Sequence, residues 1–343
     1  MNRRSLLILA AAVLAGILVG SALFLTIPKD PAPPMVIIVY GGEKGDLSFV
    51  DSASRGLSTA QENLTFETLE FTSLEYGTIE ALLKNESPKR PVLVITASFA
   101  YTNATAQLAS EYPEVSFLGI DQQGSSLPNL RTCEITSYGS SYLAGILAAN
   151  VTSTRHVGII LGTHSDVLEG FLLGYRDGIR AVDPSIVIEE RYVRENSVEG
   201  FSDPVRAQEI AREMYEGSVD VIFTVAGFSG TGAIDEANRA PGRYVIGVDR
   251  DQSDLGPDVI LASAVKHVDR AVESGIREFM EGTFCGGEQV VGLREGATDL
   301  VFNPKFAGYK ETVDLWREKV DQVILNTRDS YGVRYQAFLS RSA

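Results

Sequence analysis

The stretch VGIILGTHSDVLEGFLLGYRDGIRAVDPSIVIEERYV, residues 157–193, contains one complete unit of a repeating plan. Val157–Leu161 is a short apolar run with the length and composition of a buried strand. The polar turn LGTHSD follows, and from Val167 to Ala181 the apolar residues return at helical spacing. Val187–Val193 then opens a second β-branched run. Strand, polar turn, helix and strand form a βαβ unit, and such units build parallel sheets with helices on both faces.

The same plan extends in both directions. Val36–Tyr40, Val92–Thr96, Val115–Ile120, Val221–Val225 and Tyr244–Val248 read as further buried strands, and Ser140–Asn150, Pro204–Glu216 and Val268–Met280 as helices. The strands end alike, in VYGGEKGD, TASFAYT, GIDQQG, TVAGFSGTG and GVDRDQ. Polar and glycine residues thus gather at the carboxyl ends, the edge at which open α/β sheets bind ligands beside free helix N–H groups. A chain of 343 residues suits two lobes of ordinary size.

The chain carries 45 acidic and 30 basic residues, a net charge of −15. Such a surface repels phosphate backbones, so no nucleic acid partner is expected. Cys133 and Cys285 stand far apart and outside any CxxC pair, so no zinc or redox site is expected; a disulfide between them stays open in an exported chain. His156, His164 and His267 form no i, i+4 pair and no HExxH motif, and no nucleophile motif accompanies them. The expectation is a protein without catalytic residues, metal or cofactor.

Arg3 and Arg4 precede Leu6–Ile27, a run of 22 residues without a charge. As a helix rising ~1.5 Å per residue, it spans a ~30 Å hydrocarbon core. The basic side is retained in the cytoplasm, which puts the rest of the chain outside. The segment is expected to stay as an anchor at the outer face of the cell membrane; cleavage near Gly20–Ala22 would release a secreted protein instead. Pro28–Pro34 reads as a stiff spacer. N-x-S/T triplets begin at Asn63, Asn85, Asn103 and Asn150, in keeping with an exterior location.

AGFSGTG, residues 226–232, follows a strand but matches neither GxGxxG nor GxxxxGK[ST], and Thr231 breaks the GxSxG pattern. It reads as a ligand-facing turn. Asp46, Asp121 and Asp249 stand at or just beyond strand ends, with Phe49 and Phe171 at adjoining loop or helix starts. Singly, such aspartates cap helices and such phenylalanines fill cores. Jointly they suit a small polar ligand with a planar face.

In order, GDLSF (45–49), SSYLAG (140–145), EGFLLGY (169–175), GFSDP (200–204), AGFSGTG, IGVDRDQ (246–252) and ASAVKHVDRAV (262–272) resemble the basic membrane protein family, solute-binding lipoproteins that include purine nucleoside receptors of ABC importers. The resemblance covers roughly residues 35–335. It implies a type I periplasmic-binding-protein fold, α/β, with two Rossmann-like lobes closing on a ligand cleft. Asp46 matches the family's base-bonding aspartate, Phe49 its neighbouring aromatic, Asp121 a cleft aspartate and Phe171 the opposing ring. Gly227, Phe228, Ser229 and Gly230 match a glycine wall, and Asp249 with Lys266 the ribose-side groups. Val50, Gly139 and Phe228 depart from the family's usual asparagine, acidic residue and glycine, and the lipid-anchor cysteine is replaced by the Leu6–Ile27 segment.

With the membrane segment and spacer at 1–34, the resemblance implies one lobe from 35–137 and 264–291, a second from 138–263 and 292–335, and a tail at 336–343. Crossovers are expected near 136–139, 261–266 and 290–293. The expected function is capture of a nucleoside, a purine one, by a monomer that delivers it to ABC permease subunits. A binding protein for a sugar or other polar solute, a ligand sensor of the same fold and a nucleoside hydrolase are the alternatives.

Overall fold

Two six-stranded sheets organise the chain. In the computed structural model, which describes residues 32–320 and 322–323, the first sheet holds β1 (Met35–Tyr40), β2 (Glu67–Phe71), β3 (Val92–Ala97), β4 (Ser116–Ile120), β5 (Leu130–Ile135) and β11 (Gly287–Val291), in the order β11-β5-β4-β3-β1-β2. The second holds β6 (His156–Leu161), β7 (Val187–Tyr192), β8 (Val221–Val225), β9 (Tyr244–Asp249), β10 (Ile260–Lys266) and β12 (Thr298–Phe302), in the order β12-β10-β9-β8-β6-β7. The two orders correspond position by position. Every pairing is parallel except that of β12 with β10.

The fold is therefore the expected two-lobed α/β architecture. The expected membrane segment Leu6–Ile27 and the tail 336–343 lie outside the described residues. Among the described residues no helix is long and apolar enough to cross a membrane.

The central strands are apolar throughout because both faces are covered. Val36 and Ile38 of β1 pack with α1 (Phe49–Asn63), through Ala53 and Leu57, and with α8 (Val268–Met280), through Val272 and Ile276. Ile37 and Val39 face the other way, against Ile79 and Leu83 of α2 (Tyr76–Glu86) and Leu108 of α3 (Thr102–Glu111). In the second sheet, Ile159 and Phe223 pack with α4 (Tyr138–Val151) and α5 (Asp166–Val182). Ile160 and Ile222 face α6 (Pro204–Glu216) and α7 (Gly230–Ala237). Side chains alternate across a strand, so two layers of helix demand apolar residues at every position.

Helices α4 and α5 meet at backbone distance. A Cβ on Gly178 would lie 2.1 Å from the Tyr142 carbonyl oxygen, and one on Gly145 would lie 2.3 Å from that of Tyr175. Glycine is what lets α4 bury nearly all of its faces.

The chain passes between the sheets three times: after β5 into α4, after β10 into α8, and from β11 into β12. Backbone bonds tie the crossings together, Thr136 N–H donating to Val291 O at 2.8 Å and His267 N–H to Ala297 O at 2.9 Å. The second crossing follows Lys266, since Ala264–Lys266 still pair with β12 in the second sheet. Cys133 is buried in β5 and Cys285 is exposed, and both are free thiols. Asn63, Asn85, Asn103 and Asn150 are all exposed.

Candidate functional site

A cavity of about 660 Å³, open mouth included, lies between the carboxyl ends of the two sheets. From the first sheet it takes Ala97 and Phe99 at the end of β3 and Asp121 after β4, with Asp46 and Phe49 from the loop entering α1. From the second it takes Gly227 after β8, Asp249 closing β9, Lys266 closing β10, and Phe171 on the first turns of α5. Asp46, Phe49, Asp121, Phe171, Gly227, Asp249 and Lys266 thus meet at one place.

The polar groups are held in distinct ways. Asp46 accepts from the backbone N–H of Ser48, Val50 and Asp51 at 2.9, 2.9 and 3.0 Å, neutralising the open N-terminus of α1. Burial raises its carboxyl above the ordinary value, against the pull of those donors. Asp121 and Asp249 occupy corresponding positions at the ends of β4 and β9, and both adopt left-handed backbone conformations, φ +57° and +64°. Such strain persists only where surrounding contacts enforce it.

Lys266 Nζ donates to Asp121 Oδ2 at 2.5 Å and lies 5.7 Å from the Phe49 ring centroid and 5.8 Å from that of Phe171. The ammonium is placed between two aromatic faces, where ring quadrupoles favour a cation. Asp121 Oδ1 is buried with no hydrogen-bond partner among the described residues. Asp249 accepts from the Ser48 hydroxyl. Burial pushes its carboxyl up to about 6, opposed by Ser48 and Lys266.

Phe228, Ser229 and Gly230 do not line the cavity. Gly227 has φ +55°, and the 3₁₀ turn it opens carries the next residues away. Phe228 is partly exposed, and the Ser229 hydroxyl is engaged by Gly200 O and Asp203 N–H at 2.8 and 2.7 Å. Phe99 and Phe201, absent from the sequence-derived site, do line it, with their rings edge to face at 6.4 Å. The one sequence signal for them is position: each follows a strand on a turn at the carboxyl edge. No group of His, Cys, Asp and Glu suited to a metal ion occurs among the described residues.

Two like-ordered sheets, three crossings and a cavity between the carboxyl edges define a two-lobed solute-binding protein. The chain belongs to the family of PnrA-like ABC transporter substrate-binding proteins, which matches residues 34–329. Basic membrane protein A1 of Borrelia garinii subsp. bavariensis is 29% identical over 304 residues, covering 85% of this chain and 88% of the relative. The ABC transporter nucleoside-binding protein BmpA of Lactococcus lactis subsp. cremoris is 29% identical over 298 residues, covering 81% and 84%. A solved ABC transporter solute-binding protein from Aeropyrum pernix is similar with a TM-score of 0.71 and 25% identity, covering 90% of this chain and 92% of the other.

Proposed function

We propose that this protein captures a purine nucleoside outside the cytoplasm and delivers it, unaltered, to the permease subunits of an ABC importer. The supporting observation is the pairing of chemistries in one cavity. Phe49 and Phe171 offer apolar ring faces, and the buried Asp121 Oδ1 is an acceptor without a donor. A planar base fits ring faces, whereas its N–H groups and the ribose hydroxyls are the donors that buried carboxylates require. The similarity to a nucleoside-binding relative supports the same reading.

In this reading, the two sheets, each with its helices, are the lobes that close on the solute, and Leu6–Ile27 holds them at the membrane. Thermal unfolding of the protein with guanosine, inosine, adenosine, ribose and glucose tests it. A nucleoside at about one hundred times its Kd stabilises by about 2.7 kcal/mol. A shift with a sugar and none with any purine nucleoside refutes the reading.

A further inference from the structure

The loop between β1 and α1 grips the second sheet's β9–β10 loop directly, away from the cavity. Leu47 O accepts from Arg250 Nε at 3.0 Å and from Gln252 Nε2 at 3.3 Å. The neighbouring Ser48 hydroxyl donates to Asp249. Leu47 is unusual in its own right: its backbone is left-handed, φ +52°, a conformation costly for a leucine. It is fixed from both sides, its N–H donating to Asp51 Oδ2 at 2.9 Å while its carbonyl meets the two donors. Gln252 is itself anchored in the second sheet, accepting from Val248 N–H at 3.1 Å and donating from its backbone to Ser263 Oγ at 3.0 Å.

We propose that Arg250 and Gln252 are positioning residues of a latch on the Leu47 carbonyl that biases the two lobes toward the closed arrangement. Leu47, Ser48, Arg250 and Gln252 do not line the cavity, and every bond in the latch joins protein to protein. Closure therefore draws on contacts that no solute supplies, and the latch sets how long a captured solute stays. Asp249 belongs to both systems: it lines the cavity and receives the Ser48 bond. The contacts a solute makes with Asp249 and the latch thus strengthen or weaken together.

The test is the interlobe distance distribution of the full chain in detergent, dialysed free of any carried solute and with none added, so its outcome does not depend on the nucleoside reading. Fluorophores go on Cys285, exposed beside the first sheet, and on an introduced Glu216→Cys at the exposed end of α6. Cys133 stays unlabelled, since it is buried and its thiol is pushed up to about 12. Arg250→Ala is expected to raise the open-to-closed ratio by roughly tenfold, about 1.4 kcal/mol. Asp254→Asn breaks the Arg250 ion pair with Asp254, 2.9 Å long, without touching the bond to Leu47, and is expected to leave the wild-type distribution. If Arg250→Ala fails to fold, Gln252→Glu carries the test, because it keeps the acceptor for Val248 and turns the donor facing Leu47 into an oxygen. A wild-type distribution for the latch variant, or equal opening by Asp254→Asn, overturns the proposal.

Discussion

Lys266 Nζ and Asp121 Oδ2, 2.5 Å apart, join the last residue of β10 in the second sheet to the residue after β4 in the first. The Lys266 side chain is 2% exposed and that of Asp121 5%. The family resemblance implies that Lys266 acts with Asp249 on the sugar side of the cleft; both line the cavity, the ammonium donating to Asp121 while Asp249 receives the Ser48 hydroxyl. Removing one partner of a buried pair strands a charge and costs about 3–5 kcal/mol, whereas replacing both by apolar groups costs far less. Asp121→Asn, which tolerates the left-handed backbone, is expected to lower urea-unfolding stability by roughly 3 kcal/mol. The double variant Asp121→Asn, Lys266→Met is expected to recover most of that loss. Equal losses in the two variants would show that the charge is not what matters.

Asp249 makes stability depend on pH. Its folded carboxyl stands at about 6, above the ordinary 3.8, chiefly through burial. The folded state holds the proton more tightly, so the group favours folding fully below about pH 4, and that contribution fades as pH rises to about 6. That rise corresponds to about 3 kcal/mol. Asp249→Asn accepts the Ser48 bond without ionising. The stability of wild type minus that of the variant is therefore expected to fall by roughly 3 kcal/mol between pH 3 and pH 8. Unfolding curves across that range measure it, and a difference independent of pH would contradict the burial argument. In nucleoside binding, the same variant is expected to lose about 1–3 kcal/mol for a nucleoside and much less for its free base.

Two glycine-to-alanine changes should act in opposite directions. Gly178→Ala forces a methyl against the Tyr142 carbonyl, 2.1 Å away, so α4 and α5 must part. It is expected to cost about 1–3 kcal/mol, the usual range for overpacking. At Gly77 in α2, nothing lies within 4 Å of the added carbon. There, alanine is expected to stabilise by about 0.5–1 kcal/mol through helix propensity. Chemical denaturation of both variants decides the matter, and destabilisation at both positions would mean that the close crossing is not the cause.

The sheets were legible where two helical layers cover a strand, as at Val36–Val39, whose four residues face helices alternately on either side. β2 was not, because an edge strand faces solvent and ETLEF carries Glu67 and Glu70. β5 was hidden likewise by Arg131 and Glu134 within LRTCEI. Site residues close to strand ends could be placed because a strand's end fixes which edge they join. Ser229 could not, since its hydroxyl is taken up by Gly200 and Asp203 through tertiary contact. Nor could the partner of Lys266 be read, as the choice between Asp121 and Asp249 is made by side chains from two sheets.

The solute that the protein itself carries is the most direct witness to what it does. Mass spectrometry of the full chain, purified from its own cells without added ligand and then denatured, is expected to release an intact purine nucleoside in stoichiometric amount. A sugar in its place, or free base and ribose from a split nucleoside, would contradict the assignment of this cavity to nucleoside capture.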